Sequence, residues 1–435
     1  MKRETAAYRV MMLFLSNAAL QTMAFAYRIA LGKCAPASAL GLNSLMMQIY
    51  GIVTSFSISG LNVAVTSLAA RTPPGEVKGL LKSALGIFFI LWLMLAAPLT
   101  ALSKSVCAAA LGNRSAFPAL ILMLVCILMT GVENMLKSIH LGRKHVKQCA
   151  LSELCEQSVR FVLVLLLIEK LGDGTDSGTV FLIMLGMAGS EFVSIGVLSR
   201  SFTKLYGKRN GAKCRGNARD LVRVAFPAAL TSLSSELFEA VGSLMLPGAL
   251  MRFGLDYGAA LAEIGVINTI AVPFTFLPMS FIGALSAVVL PEAAELNSCG
   301  NSPSKLIKKA LFAAFAVGVS CAALMIAFSG KISGGLLGRP FDGTVLVLLV
   351  LRAVTAELNA VCTAVLNGLL KQKSVLAIAV SGEAMRLAAV LLLAPVLGMR
   401  GYALGLLLGG GFRMLLALGT VRSASKMGME KNVGL

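Results

Sequence analysis

Charged residues recur inside stretches of the chain that are otherwise apolar, and their spacing limits the chemistry they could do. Glu156 and Arg160 are four residues apart, and Glu153 comes three residues before Glu156, so the three side chains share one helical face. Glu383 and Arg386 form a similar pair later in the chain. An ionisable group inside an apolar span costs about 2.5 to 3.5 kcal/mol to insert, so it needs a partner or a water-filled cavity. We therefore predict structural ion pairs at both places. The alternative is that either arginine contacts an anionic substrate.

Polar residues also lie beside prolines in two later apolar stretches. Glu236 and Glu239 are about one helical turn apart and follow Pro227, and Asn268 precedes Pro273. A proline inside a membrane helix frees backbone carbonyl groups, which are tolerated where the helix borders a cavity. These two stretches are therefore the predicted walls of a polar cleft.

The first two apolar stretches are the predicted opposite wall of this cleft, because an internal repeat described below relates them to the proline-containing pair. Amides and hydroxyls suit a sugar, and arginine suits a pyrophosphate. Each residue could instead make a hydrogen bond between packed helices, and Arg28 could anchor its helix at the outer interface. The predicted substrate-binding residues are Asn17, Gln21, Arg28, Gln48, Asn62, Glu236, Glu239, Asn268 and Arg352.

The sequence lacks the motifs of several common catalytic and energy-coupling sites. It contains no G-x-x-x-x-G-K-[ST] segment, so ATP binding of the P-loop kind is excluded. His140 and His145 lie in one basic connection without HExxH spacing, and no cysteine pair has CxxC spacing, so we predict neither a metal site nor a cofactor. Transport would then run on an ion, voltage or substrate gradient. Glu236 and Glu239 are the predicted sites for coupling to protons or sodium ions.

The elements that carry these residues are predicted to be membrane-spanning helices. Apolar residues make up 57% of the chain and charged residues 14%, whereas soluble proteins have roughly 25% charged residues. We predict an all-α polytopic membrane protein with about twelve transmembrane helices in two six-helix lobes. The predicted spans are 8–31, 40–70, 80–102, 116–139, 149–168, 180–202, 221–251, 260–290, 306–328, 345–366, 375–397 and 402–421.

The distribution of positive charge predicts the orientation. With this set of spans, 26 of the 39 lysines and arginines fall on the side of the termini, 9 fall on the other side and the rest lie within spans. Basic loops face the cytoplasm and its anionic lipids, so both termini are predicted to be cytoplasmic in a plasma membrane protein that binds no nucleic acid. The predicted domains are an N-terminal lobe 1–203, a basic linker 204–220 and a C-terminal lobe 221–435.

One internal repeat supports the division into two lobes. At a fixed offset of 226 residues, identical residues recur from the third span to the fifth. The matched pairs include Gly142 with Gly368, Lys147 with Lys373, and Arg160 with Arg386. Six helices separate the copies, so the halves would share one orientation about an axis along the membrane normal. Two such lobes can enclose a cleft for alternating access.

Three segments carry a resemblance to a known group of transporters. The segment Ser152–Arg160 resembles the S-x-x-x-E-Q-x-x-R pattern of the stage V sporulation protein B group. That group belongs to the multidrug/oligosaccharidyl-lipid/polysaccharide (MOP) exporter superfamily, with lipid II flippases and multidrug and toxin extrusion (MATE) proteins as relatives. Arg28 with Gly41 resembles the group's R-x-x-G...G segment, and the segment Gly60–Ser67 resembles its G-I-P-x-A-I-S-K, although Asn62 replaces the usual proline and Ser67 the usual lysine.

The resemblance implies a monomeric, non-enzymatic flippase or exporter of a lipid-linked oligosaccharide used for cell wall, polysaccharide or sporulation. The first alternative is a cation-coupled multidrug antiporter of the MATE type. That class would need a more aromatic cavity than one tryptophan and six tyrosines offer. The second alternative is a membrane glycosyltransferase or polymerase, which would need larger outer loops with more acidic residues.

Overall fold

The chain is almost entirely α-helical wherever the structure describes it. The structure is a computed structural model and describes residues 6–207, 217–276, 304–327, 342–369 and 371–433. No β-strand occurs within these ranges. Long apolar runs form helices because a backbone in lipid must satisfy its own hydrogen bonds within the segment.

Eight helices precede the predicted linker. Their bounds are α1 (Ala6–Cys34), α2 (Ala37–Thr54), α3 (Gly60–Arg71), α4 (Val77–Ala101), α5 (Ser103–Leu111), α6 (Phe117–Gly142), α7 (Val146–Leu171) and α8 (Asp176–Tyr206). A π-helical turn at Ser55–Ser59 joins α2 to α3, so the two make one span of 35 residues. Such turns insert an extra residue into the helix and are frequent at functional sites.

Six helices lie in the described residues from Asn217 onwards. Their bounds are α9 (Asn217–Phe253), α10 (Tyr257–Val266), α11 (Val272–Phe276), α12 (Ser304–Ala327), α13 (Gly343–Gly368) and α14 (Gln372–Val433). A second π-helical turn at Ile267–Ala271 joins α10 to α11. Gly398, with φ of 59°, breaks α14 into two segments, residues 372–397 and 399–433.

The prediction of an all-α polytopic membrane protein is confirmed. In the described ranges, nine helices are long and apolar enough to cross a membrane. One of them runs over 51 residues from Lys373 to Ser423 and contains the break at Gly398, so it holds two of the predicted spans. The count of twelve helices stays a prediction, and the predicted span 260–290 extends beyond the described residues.

The helix bounds repeat with the same offset as the sequence. Helices α6 and α13 both have 26 residues and begin 226 positions apart. Helix α7 and the first segment of α14, residues 372–397, also begin and end 226 positions apart. The sequence repeat is therefore a repeat of helices, although the two-lobe arrangement itself remains a prediction.

Contacts between residues divide the chain into two compact units. The first unit is Met1–Ala240 and the second is Val241–Leu435, so the boundary falls inside α9. The predicted functional boundary at the basic linker 204–220 stays a prediction, and most of that linker lies outside the described residues.

Small residues let the helices of the first unit approach closely around α6, α7 and α8. A side chain at Gly131 on α6 would overlap the ring of Phe88 on α4, and one at Gly186 on α8 would overlap Val164 on α7. Close approach of this kind is typical of helix packing in membranes. It directs the polar faces of α6, α7 and α8 into a shared interior.

The second unit packs in a similar way. Buried Leu246, Ile264, Leu349 and Leu406 form one apolar core, to which α9, α10, α13 and α14 contribute. The two segments of α14 lie close together, because a side chain at Gly405 would overlap Val390. This contact fixes which faces of the two segments meet.

Candidate functional site

The first unit holds a buried group of acidic and basic side chains, which we call the acidic cluster. Helix α6 supplies two of its members, α7 three and α8 one. Its members are Glu133, Lys137, Glu153, Glu156, Arg160 and Glu191. The spacing on each helix places these side chains on the face turned towards the neighbouring helices.

Arg160 connects α7 to α8 within this cluster. Its Nη2 lies 2.5 Å from Glu156 Oε1 on the same helix and 3.4 Å from Glu191 Oε1 on α8. Its Nε donates a hydrogen bond of 3.2 Å to Ser190 Oγ. The predicted pairing of Glu156 with Arg160 is thus present in the geometry, with a second acid from α8 beside it.

Lys137 connects α6 to α7. Its Nζ lies 2.7 Å from Glu133, 3.5 Å from Glu153 and 3.6 Å from Glu156. Glu133 also accepts a hydrogen bond from Ser194 Oγ on α8. One ammonium group therefore serves three carboxylates.

The acidic cluster contains more acids than bases. Four carboxylates face two cations, and Glu133, Glu156 and Glu191 are only 2%, 6% and 3% exposed. Among the described residues, Glu191 Oε2 has no hydrogen-bond partner. A buried carboxylate oxygen without a partner is costly, and either a bound proton or a bound cation removes that cost.

The three most buried acids are close enough to share one such ligand. One carboxylate oxygen from each of Glu133, Glu156 and Glu191 lies within 4.8 Å of the others. Carboxylate oxygens suit protons and hard cations such as sodium. The arrangement can therefore hold a proton between two acids or a single cation among three.

Neutral polar contacts link α2 and α3 to the same region. Thr130 on α6 donates a hydrogen bond of 3.1 Å to Glu191, and the hydroxyls of Thr130 and Tyr50 are 3.0 Å apart. Asn62, predicted to contact substrate, instead donates to Asn134 on α6 at 3.1 Å and accepts from Ser138 at 3.2 Å. Asn62 thereby ties α3 to α6, as the packing alternative predicts.

The second unit holds a group with the opposite balance, the arginine cluster, formed by Arg352 on α13 and by Glu383, Arg386 and Arg413 on α14. Arg386 Nε lies 2.7 Å from Glu383 Oε2, and Arg413 Nη1 lies 3.4 Å from Glu383 Oε1. The four residues line a cavity of about 90 Å³ together with Asn359. The predicted pairing of Glu383 with Arg386 is present, and one carboxylate is shared between two guanidinium groups.

The predicted cleft residues of α1 and α2 differ in exposure. Gln21 is exposed, Arg28 and Gln48 are half-buried, and the side chain of Asn17 lies outside the described residues. Gln48 Oε1 has no hydrogen-bond partner within the described part of the chain.

The remaining predicted cleft residues lie on α9, α13 and the second π-helical turn. Glu236 lies against Gly51 on α2, where an added Cβ would approach its Oε2 to 2.5 Å. Glu239 is exposed. Asn268 accepts a hydrogen bond of 3.1 Å from the hydroxyl of Tyr402. The structure thus brings Glu236 to the second predicted span, whereas Asn268 has a partner within the second unit.

The sequence pattern of the family described as polysaccharide biosynthesis protein matches residues 8–297, well over half of the chain. The chain belongs to the polysaccharide biosynthesis protein family. A comparison with curated proteins found no match to this sequence.

Solved structures with the same fold are transporters of the MOP superfamily. An inward-facing multidrug resistance MATE family transporter is 17% identical, with a TM-score of 0.77, and the match covers 95% of this chain and 96% of that one. The outward-facing conformation of such a transporter gives a TM-score of 0.68 at 17% identity and covers 98% of both chains. A MOP superfamily transporter from Pyrococcus furiosus Vc1 gives 0.67 at 16% identity over 97% and 96%. At this identity the likeness shows the MATE-like fold, which is the predicted one.

Three residues of the acidic cluster, Glu133, Lys137 and Glu191, are not among the predicted site residues. Lys137 lies inside α6 and within the predicted span 116–139. Glu133 and Glu191 also lie inside predicted spans, on α6 and α8. A signal was available for two of them, because Glu133 and Lys137 have the same four-residue spacing as Glu156 and Arg160.

Proposed function

We propose that this transporter moves a lipid-linked saccharide, a precursor of cell wall or polysaccharide, across the plasma membrane by alternating access. Membership of the polysaccharide biosynthesis protein family carries this proposal. A fold shared with MOP superfamily transporters over 95% of the chain supports it. We also propose the predicted orientation, in which both termini face the cytoplasm, from the asymmetry of basic residues.

The chemistry of the substrate explains what the protein must supply. A pyrophosphate cannot pass through hydrocarbon unaided, because a desolvated anion costs far more than thermal energy. The polar head needs a hydrated path with cationic contacts, while the polyprenyl tail stays in the bilayer. Arg28, half-buried on α1 and close in sequence to exposed Gln21, is the first proposed contact for the pyrophosphate. Arg352 is the second.

Translocation by the reconstituted protein tests this proposal. Vesicles that contain the full chain should move a labelled polyprenyl-pyrophosphate sugar between leaflets, and Arg28→Ala should slow that movement several-fold because a cationic contact is lost. Arg114→Ala removes an exposed arginine at a helix start and serves as the matched control. Its rate should equal that of the unchanged protein.

One outcome would favour a multidrug antiporter instead. Two of the structures with this fold are described as multidrug resistance transporters, although the likeness extends only to the fold. If no lipid-linked sugar moves, while cationic dyes leave the vesicles on a proton or sodium gradient, then the antiporter is the function. The same vesicles and the same protein serve both measurements.

Coupling to an ion gradient is the second part of the proposal. We assign the coupling proton or cation to the acidic cluster, because Glu191 is 3% exposed and carries the oxygen without a partner. The other charged groups of the cluster around Glu191 are Glu133 and Lys137 from α6, and Glu156 and Arg160 from α7. The earlier candidates, Glu236 and Glu239, lie on α9 outside this cluster.

Replacement of single acids separates these two assignments. In Glu191→Gln, substrate should still move down its own gradient, but a proton or sodium gradient should no longer accelerate it, because the amide cannot bind the ion. Glu239→Gln is the matched control on an exposed acid and should keep the acceleration. The reverse pattern would move the coupling site to α9.

A further inference from the structure

The repeat identifies the residues of the second unit that stand where the acidic cluster has its charges. The offset of 226 applies to α6 with α13 and to α7 with the first segment of α14. The equivalent pairs are Glu133 with Asn359, Glu156 with Gly382, and Arg160 with Arg386. The arginine is retained, and the two carboxylates are replaced by uncharged residues.

Packing extends this correspondence to α8 and the second segment of α14. In the first unit Arg160 contacts Ser190, and in the second unit the backbone of Arg386 lies against Gly409. Ser190 and Gly409 are 219 positions apart, so the connection after the break is seven residues shorter in the second unit. With this offset, Gly410 stands where the first unit has Glu191.

Gly186 and Gly405 give the same offset independently. Gly186 faces Val164, and Gly405 faces Val390, which is the equivalent of Val164. These two glycines are also 219 positions apart. The alignment of α8 with the second segment of α14 therefore rests on two separate contacts.

The cavity of the arginine cluster lies where the missing carboxylates would be. Asn359, Gly382 and Gly410 all line it, and these are the equivalents of the three buried glutamates. Replacing a glutamate by a glycine removes both a charge and the volume of a side chain. The cavity of about 90 Å³ is consistent with that loss of volume.

Arg386 and Arg413 share a single carboxylate at this cavity. That carboxylate belongs to Glu383, the one acid among the described lining residues, and both arginines contact it. Within the described part of the chain, Arg386 Nη2 and Arg413 Nε have no hydrogen-bond partner. Arg386 is 9% exposed. A guanidinium group cannot neutralise itself by losing a proton, so an anion in the cavity would balance the second of these two charges and accept hydrogen bonds from the two N–H groups.

We propose that this cavity binds a small oxyanion of the phosphate class, which takes the place of the missing carboxylates. Free guanidinium N–H groups match the oxygen atoms of phosphate in bidentate geometry. A cavity of about 90 Å³ has room for several water molecules and therefore for one phosphoryl group. The phosphoryl group comes either from free phosphate or from a lipid head group. This site does not depend on the proposed saccharide substrate.

Thermal unfolding of the purified full-length protein in uncharged detergent tests the proposal. In a sodium gluconate buffer of constant ionic strength, added sodium phosphate should raise the unfolding temperature and reach saturation, because the ligand binds the folded state. Sodium chloride should not produce a saturating rise. A third arm adds micelles with phosphatidic acid, and phosphatidylcholine is its control. A rise with phosphatidic acid alone would identify a lipid head group as the source.

Two variants distinguish this site from general ionic effects. Arg413→Gln should abolish the saturating rise, whereas Arg400→Gln, which removes an exposed arginine outside the cavity, should keep it. Asn359→Asp places a carboxylate at the position of Glu133. Without phosphate, the Asn359→Asp protein should unfold at a higher temperature than the unchanged protein, and added phosphate should raise that temperature little further. This measurement remains informative even if Arg413→Gln does not fold.

Three results would overturn the proposal. The first is an equal response to chloride and phosphate, which would indicate screening of surface charge. The second is the absence of a response to phosphate and to phosphatidic acid. The third is an Asn359→Asp protein that is less stable than the unchanged protein and still responds fully to phosphate.

Discussion

The acidic cluster and the arginine cluster occupy repeated helices but have opposite charge. The first has four carboxylates and two cations, and the second has three arginines and one carboxylate. Carboxylates can become neutral by binding protons, whereas arginine stays charged at any pH that a protein survives. One set of helices can therefore present a site that responds to protons or cations and another that requires an anion.

The arginine that both units retain, Arg160 in the first and Arg386 in the second, contacts a different number of acids in each unit. Arg160 lies close to two acids, Glu156 at 2.5 Å and Glu191 at 3.4 Å. Arg386 lies close to one acid, Glu383, which Arg413 also approaches at 3.4 Å. Loss of the arginine should therefore leave unpaired charge in the first unit and relieve excess charge in the second.

The largest effect is expected for Arg160→Ala. It leaves Glu191 without its cation and leaves Glu156 only Lys137, at 3.6 Å. Removal of one partner from a buried pair costs about 3 to 5 kcal/mol, so the amount of folded protein in the membrane should fall strongly. Size-exclusion chromatography of a fluorescent fusion measures that amount. Normal accumulation with lost substrate binding would show that Arg160 contacts substrate instead.

A smaller effect is expected for Arg386→Ala, the equivalent change in the second unit. Glu383 keeps Arg413, and the positive excess falls by one charge. The lost hydrogen bond to a charged group is worth about 1.5 to 3 kcal/mol, and relief of repulsion offsets part of it. The same chromatography should show clearly more folded protein than for Arg160→Ala. Equal losses in the two variants would contradict the difference between the clusters.

Much of the fold could be predicted because membrane helices have strong local signals. Apolar length, basic connections and the repeat are all properties of consecutive residues. The pairing of Glu156 with Arg160 is also local, because it depends only on the spacing of two residues in one helix. The general class of transporter followed from short segments such as Ser152–Arg160, and the family match confirmed it.

The composition of the clusters could not be predicted, because it depends on how different helices are rotated against each other. Glu191 reaches Arg160 only because Gly186 allows α8 to pack closely on α7. The amide of Asn62 gave no sign of whether it faces a cleft or a neighbouring helix, and in the structure it faces Asn134. The predicted cleft itself stays a proposal.

The break in α14 shows another limit of local reasoning. Residues 387–399, which lead up to the break at Gly398, carry no charge, and the sequence predicted two spans there without indicating how their faces would meet. The seven-residue difference between the offsets becomes visible only through the contacts of Gly405 and Gly409. Those contacts make Gly410 the equivalent of Glu191 in the repeat, and Gly410 lines the cavity.

The smallest effect is expected for an exposed ion pair, which contrasts with both buried clusters. Asp342 starts α13, and its carboxylate accepts a hydrogen bond of 2.6 Å from Arg400 Nε and one of 2.9 Å from the backbone N–H of Thr344. The Arg400 guanidinium lowers the pKa of the Asp342 carboxyl below its usual value. A lowered pKa in the folded state means that the stabilisation is present at neutral pH and is lost as the pH falls through that lowered pKa.

Asp342→Asn should therefore lower the unfolding temperature slightly at pH 7. The difference in unfolding temperature between the variant and the unchanged protein should shrink as the pH falls below about 4, which is near the ordinary pKa of an aspartate. Arg400 is 61% exposed, so water and salt screen the pair and its contribution should stay below about 1 kcal/mol. Asp220→Asn, on an exposed acid of α9, is the control and should leave the unfolding temperature at pH 7 unchanged. A loss as large as that of Arg386→Ala would mean that exposure does not separate this pair from the arginine cluster.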